Sequence, residues 1–401
     1  MSFNYLLYVI AAAVCAALTS FACTPPVRVL AYRIGAIDVP LDKRRMHKRP
    51  IPLIGGLAIY LGFTLSTAIF CEVTETLKAI WIGGSVLVLV GILDDRFKLS
   101  AVLKLFIQIG VALIAVACGV SIERIAMMPL GVFEIPVTVL WIVGLTNAIN
   151  LIDGLDGLAC GISAICSASI SCVMLLRGDT GSAMLTILLT SSCIGFIPFN
   201  KHPARIFMGD TGSLFLGFSL AVISTGGLFK VHTVISFIVP LIVFALPLFD
   251  TMNAIIRRVI SGRSPFAPDK GHLHHKLVDM GFTQKESVKI LYAVCALMGL
   301  VSIVFTDAAI DYDAPFESVQ LIKALVLLVG AIIILWVNFI IMKNPVSRLH
   351  SGLFEDEKKT AYRRLKRKVE IATIIADNKA ASEHGHSDSK SKNDKDGGKS
   401  Q

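Results

Sequence analysis

PVTVLWIVGLTNAINLIDGLDGLACGISAICSASISCVMLL, residues 136–176, is two apolar runs that meet at an acidic junction. A run of about 20 apolar residues is enough to cross a bilayer, so residues 136–152 and 157–176 predict two successive membrane helices. Asp153 and Asp156 fall between them, with almost no loop to carry them away from the hydrocarbon. Carboxylates so placed are costly and mark function by default. Composition supports a membrane setting for the whole 401-residue chain. Hydrophobic residues make up 54% and charged residues 17%, and the mean hydropathy is +0.72, which excludes a water-soluble domain.

Working outward, the same rule finds further candidate spans near residues 4–22, 52–70, 79–93, 103–120, 182–199, 213–229, 234–255, 288–306 and 319–342. The expectation is therefore an all-α polytopic membrane protein of about eleven transmembrane helices. The start has neither a basic leader nor a small-residue cleavage site, and reads as a retained helix. Residues 1–342 form the predicted catalytic domain. Residues 343–376, including EDEKKTAYRRLKRKVE, read as a basic juxtamembrane segment, and residues 377–401 as a disordered tail. Nine cysteines without a C-x-x-C pair read as small packing residues.

All but five of the 38 Lys and Arg residues fall on one set of alternate loops; the exceptions are Lys78, Arg124, Arg177, Lys230 and Lys323. Positive residues are retained in the cytoplasm, which predicts an inner-membrane protein with its N-terminus outside and its tail inside. The acidic clusters fall on that same cytoplasmic face. Asp94 and Asp95 end the third run in GILDDRFKLS, Asn150, Asp153 and Asp156 occupy NLIDGLDG, and Asp210 opens a helix in FMGDTGS. Asp250 lies near the end of the ninth run. Two anions at a helix C-terminus oppose the macrodipole, so a capping role for Asp94 and Asp95 is poorly placed. Asp153 and Asp156 are three apart, which a helical turn would put on one face. The Gly-rich start of FMGDTGS offers free N–H groups to a phosphate, and Asp210 beside it calls for a bridging cation such as Mg²⁺.

GRSPFAPDKGHLHHKL, residues 262–277, places His272, His274 and His275 among Arg257, Arg258, Arg263, Lys270 and Lys276. The other metal-type residues are oxygen donors suited to Mg²⁺ or Mn²⁺ rather than zinc. Anionic phosphate is thus the better partner for the histidines.

Taken in order, LDDRFKLS, NLIDGLDG, FMGDTGS and SPFAPDKGHLHHKL resemble the motifs of the polyprenyl-phosphate N-acetylhexosamine-1-phosphate transferases, over about residues 5–342. His-Leu-His-His resembles the N-acetylglucosamine branch, whereas the sister phospho-MurNAc-pentapeptide transferases carry a straight His-His-His run. The resemblance implies a cytoplasmic-face active site, Mg²⁺ with Mn²⁺ as the alternative, UDP-N-acetylglucosamine as donor and undecaprenyl phosphate as acceptor. It further implies that UMP leaves and that the lipid-diphosphate-sugar product starts cell-surface glycan synthesis.

It assigns catalytic roles to Asp94, Asp95, Asp153, Asp156, His272, His274 and His275, and metal binding to Asp210 and Asp95. Asp38, Lys43, Arg44 and His47, in DVPLDKRRMHKRPIPLIGG, and Asn150, Asn200, Arg257 and Arg258 are the expected substrate-binding residues. Membrane lipids are the other partners; no nucleic acid is expected, and a homodimer is left open. Among other classes, an ion-coupled transporter would scatter its carboxylates near the midplane of repeated halves, and no repeat is visible. A zincin-type protease would need H-E-x-x-H, which is absent.

Overall fold

Apolar runs in this chain become helices because lipid leaves a backbone no partners other than its own. The computed structural model describes residues 3–39, 50–125, 128–228, 234–262, 264, 271–310 and 330. The helices are α1 (Phe3–Ile34), α2 (Gly56–Phe70), α3 (Glu75–Phe97), α4 (Ala101–Ala117), α5 (Glu134–Ile152), α6 (Leu158–Leu176), α7 (Thr180–Asn200), α8 (Gly209–Gly227), α9 (Val234–Val243), α10 (Ala245–Ile260), α11 (Leu273–Asp279) and α12 (Gln284–Ile310). Two short antiparallel ribbons interrupt them. Strands β1 (Ile37–Asp38) and β2 (Ile51–Pro52) pair Ile37 with Pro52, while β3 (Arg124–Ile125) and β4 (Met128–Pro129) pair Arg124 with Pro129.

The all-α polytopic membrane architecture agrees with expectation, but the count of about eleven spans does not. Among the described residues six helices are long and apolar enough to cross a membrane: α1, α3, α5 with the turn before it, α6, α7 and α12. A seventh results if the α9–α10 pair is counted as one span. The reasons are physical. With 15 and 17 residues, α2 and α4 reach only about 22 and 25 Å at 1.5 Å per residue, against a hydrocarbon core of about 30 Å. The predicted 234–255 span is bent by 79° between its halves. Helix α8 carries Gly, Asp, Thr and Ser at its ends, which dilute its apolar centre. The expected span at 319–342, together with segments 343–376 and 377–401, lies outside the described residues except for Gly330.

Helix α8 is the axis of the bundle. Every residue from Thr211 to Gly227 is buried, and α2, α3, α5, α6 and α7 all pack on it. Two approaches are closed to any larger residue. A Cβ on Gly91 of α3 would collide with the Thr211 backbone, and one on Gly56 of α2 with the Gly212 backbone. The periphery is built for lipid. Leu6, Ile10, Val14 and Leu18 of α1 are exposed while Ala12, Ala16, Ser20 and Thr24 face inward. Helix α10 likewise turns Phe249, Met252, Ile256 and Val259 outward and buries Asp250 and Arg258.

Candidate active site

The N-terminus of α8 is the centre of the site. A helix start leaves its first N–H groups without intrahelical partners, and α8 receives its cap from another helix. Asp95, at the end of α3, accepts the Asp210 N–H at Oδ1 (3.0 Å), and at Oδ2 the Thr211 N–H (3.2 Å) and hydroxyl (2.7 Å). The misfit between an anion and the C-terminus of α3 is thereby offset by the N-terminus of α8. Neighbouring Asp94 accepts the Leu99 N–H at 2.7 Å.

Lys104 of α4 joins the two acidic motifs. Its Nζ lies 3.1 Å from Asp94 Oδ2 and 2.7 Å from Asp210 Oδ2, and Asn150 Nδ2 donates to the same Asp210 oxygen at 3.2 Å. Asp210 borders a cavity of about 990 Å³ whose lining also includes Asp38, Asp95, Asp153, Asp156, Asn200 and His275. Arg28, Lys98 and Arg205 also contribute to its wall. Asp153 is exposed to this cavity, with protein packed around its open side. Burial, then repulsion from Asp210, Asp95 and Asp156, pushes its carboxyl up to about 8.

The α5–α6 junction is clamped from two sides. Tyr292 of α12 donates its hydroxyl to the Gly157 carbonyl at 2.5 Å. Asp156 Oδ2 pairs with His202 Nδ1 at 2.7 Å and accepts the Ala204 N–H at 3.1 Å. The histidine motif reaches the same junction. Asp250 of α10 accepts the Leu273 N–H at Oδ1 (2.8 Å) and holds His272 Nδ1 at Oδ2 (2.9 Å), with both side chains 6% exposed. The His272 and His274 rings are parallel with centroids 5.8 Å apart, and His274 and His275 are 4.3 Å apart.

His274 is buried, and neither ring nitrogen has a hydrogen-bond partner among the described residues. Burial first, then its histidine neighbours, lowers it to about 3, so it is neutral. A Cβ on Gly154 would collide with His274 Nε2, which ties the glycine of NLIDGLDG to the histidine loop.

The structure thus brings Asp94, Asp95, Asn150, Asp153, Asp156 and Asp210 to one end of the bundle, with Asp38, Asn200 and His275 on the cavity wall. His272 and His274 stand behind His275. Arg257 lies against Gly271, just before the motif, and Arg258 is buried on α10. Lys43, Arg44 and His47 lie outside the described residues. Sequence reasoning missed Lys104 and His202. The signal for Lys104 was a lone charge at the edge of an apolar run; His202 offered none beyond its nearness to FMGDTGS.

Among the described residues no three His, Cys, Asp or Glu side chains are clustered as a metal cage. Mg²⁺ does not need one, because it typically takes one or two carboxylates with water and substrate phosphate oxygens. Asp94 and Asp210, bridged by a single ammonium, are an oxygen-donor set of that kind. Both Asp95 oxygens are already engaged by α8.

Fold and site together define a polytopic membrane enzyme whose acidic and cationic groups suit phosphoryl chemistry. The family model described as "Glycosyl transferase family 4" matches residues 77–228. A "Probable undecaprenyl-phosphate N-acetylglucosaminyl 1-phosphate transferase" of Bacillus subtilis (strain 168) is 41% identical over 311 residues, covering 75% of this chain and 86% of the relative. A "Decaprenyl-phosphate N-acetylglucosaminephosphotransferase" of Mycolicibacterium smegmatis is 34% identical over 332 residues, covering 73% and 81%. Its namesake in Mycobacterium tuberculosis (strain CDC 1551 / Oshkosh) is 35% identical over 314 residues, covering 69% and 77%. The chain belongs to the polyprenyl-phosphate N-acetylglucosamine-1-phosphate transferase family and is a membrane phosphotransferase.

Proposed function

We propose that the protein transfers N-acetylglucosamine-1-phosphate from UDP-N-acetylglucosamine to undecaprenyl phosphate, releasing UMP and forming the lipid-diphosphate-sugar that starts a cell-surface glycan. The observation that carries this reading is the convergence of the α3, α5–α6 and α8 acidic motifs on one cavity that His275 also lines. The names of the relatives agree with it.

A phosphate monoester has its second pKa near 6, so the acceptor is largely dianionic at neutral pH and needs no strong base. The protein's work is to align two polyanions and to offset their charge. Asp210 with Asp94 would hold Mg²⁺, or Mn²⁺ in its place, which would supply positive charge to offset the diphosphate. Asp95 aims Asp210 by capping α8, and Asn150 fixes the Asp210 carboxylate. Lys104 is a cation within reach of the same group. Arg257 and Arg258 supply charge to the phosphates, and His275, the member of the histidine motif on the cavity wall, supplies a hydrogen bond. Asp38 on the cavity wall, with Lys43, Arg44 and His47, receives the lipid phosphate. The active face is cytoplasmic, with the N-terminus outside.

The test is which bond breaks. Donor carrying ³²P in the phosphate nearest the sugar is offered with undecaprenyl phosphate; the label moves with the sugar into organic-extractable lipid, and added UMP reverses the reaction. Label released as UDP, with unlabelled sugar on the lipid, would show attack at carbon and refute the reading.

A further inference from the structure

The wall of the cavity between the α5–α6 junction and the α7–α8 loop contains a bond that the reaction described above leaves unexplained. Asp156 is gripped twice through the same oxygen, Oδ2, by His202 Nδ1 at 2.7 Å and by the Ala204 N–H at 3.1 Å. Its other oxygen carries no hydrogen bond among the described residues, although the side chain is only 12% exposed and lines the cavity. An ionised carboxylate only accepts, so the proton of the pair sits on His202 Nδ1.

Both walls that meet here are pinned. On the loop side, the Arg205 N–H donates to the Phe199 carbonyl at 2.8 Å, Asn200 Nδ2 to the Ile206 carbonyl at 3.0 Å, and the Phe207 N–H to the Pro52 carbonyl at 2.9 Å. On the junction side, Tyr292 holds the Gly157 carbonyl. The His202–Asp156 pair is therefore a link between two braced segments, and together with the Ala204 N–H it occupies Oδ2 and leaves Oδ1 as the oxygen without a hydrogen bond among the described residues.

We propose that His202 is a positioning residue that fixes Asp156 so that its free Oδ1 accepts a hydrogen bond from an uncharged N–H or O–H of the donor nucleotide-sugar. The inference rests on the donor occupying this cavity, as read above. Oδ1 repels a phosphate oxygen but suits the imide N–H of a uracil, a ribose hydroxyl or a sugar hydroxyl. Asp156 thereby serves recognition, and the carboxylates around Asp210 serve the diphosphate. A tie that is only structural would lower stability and disturb both substrates alike.

The experiment uses the full-length purified protein with Mg²⁺, titrated calorimetrically with UDP and with UDP-N-acetylglucosamine, alongside steady-state kinetics for donor and lipid acceptor. His202→Ala is expected to weaken donor binding about tenfold, the scale of one hydrogen bond to a charged group. His202→Asn, whose amide can still donate to Asp156, recovers most of that loss, and it carries the test should the alanine variant melt early. Acceptor KM stays unchanged and kcat moves by no more than about twofold. In an Asp156→Asn background, His202→Ala adds no further loss. Equal weakening of UDP and UDP-N-acetylglucosamine places the contact on the uridine, whereas weakening of the sugar nucleotide alone places it on the sugar. Unchanged donor binding in both His202 variants, an undiminished further loss in the Asp156→Asn background, or acceptor KM rising in step would overturn the proposal. Wild-type protein that binds neither nucleotide would instead refute the donor reading beneath it.

Discussion

Asp95 and Thr211 are joined twice: Oδ2 of Asp95 accepts both the backbone N–H of Thr211, at 3.2 Å, and its hydroxyl, at 2.7 Å. Both residues are buried, so the pair locks the end of α3 to the start of α8. Removing it leaves α8 uncapped and its N–H groups unsatisfied. Asp95→Ala is expected to destabilise the protein by about 1–3 kcal/mol and Thr211→Val by about 1 kcal/mol, both with reduced turnover. Thermal unfolding in detergent, read beside activity, checks the order of the two effects.

Asp210 combines bonds to Lys104 and Asn150 with a position at the cavity. Asp210→Asn is expected to abolish turnover while leaving membrane insertion and melting temperature near those of the parent. Wild-type activity should vanish in EDTA and return with Mg²⁺ or Mn²⁺. Undiminished turnover of the folded variant in EDTA would remove the metal from the reaction.

Lys104 holds two carboxylates that would otherwise repel each other. Lys104→Met should lower the melting temperature in EDTA, and Mg²⁺ should restore much of it, because a divalent cation relieves the same repulsion. Turnover is expected to fall by about tenfold or more, the cost of losing one charged hydrogen bond. A melting temperature in EDTA equal to that of the wild type would contradict the bridging role.

Two groups give stability opposite pH slopes when divalent cation is absent. His274 is lowered to about 3 from an ordinary value near 6.5, so its contribution is full above about 6.5 and is lost as pH falls toward 3. Asp153 is raised to about 8 from an ordinary value near 3.9, so its contribution is full below about 3.9 and is lost as pH rises through 8. Between about pH 4 and 6.5 the two cancel, and above that range the Asp153 loss stands alone. Denaturant midpoints in EDTA should therefore decline from pH 6.5 to 8, and Asp153→Asn should abolish the decline. A decline that persists in Asp153→Asn would assign it to another group.

The acidic motifs were legible because each lies where an apolar run ends, and such ends gather at a membrane face whatever the packing inside. NLIDGLDG and FMGDTGS announced themselves in that way, and their residues do share a cavity. Lys104 was hidden because it reads as a lone charge at the edge of the 103–120 run, whereas the helix begins at Ala101 and sets it one turn inside. The span count failed at α8 because polar ends dilute its apolar run, and elsewhere because length or straightness fell short. Helices α2 and α4 are too short, and the α9–α10 segment breaks beside Phe244. The inter-helix cap by Asp95 was illegible for a different reason: it depends on which helix N-terminus lies opposite, and spacing along one strand of sequence carries no record of that.

Where Gly91 meets Thr211 and Gly56 meets Gly212, the main chains of α3, α2 and α8 lie against one another with no side chain between them. Spacing set by abutting backbones cannot be retuned by exchanging one core side chain for another, as it can in an ordinary apolar interior. The separation between Asp95 and Asp210 is therefore inherited from the skeleton. Adaptation to another nucleotide-sugar or another lipid has to come from the connecting segments, while these three helices act as a fixed gauge.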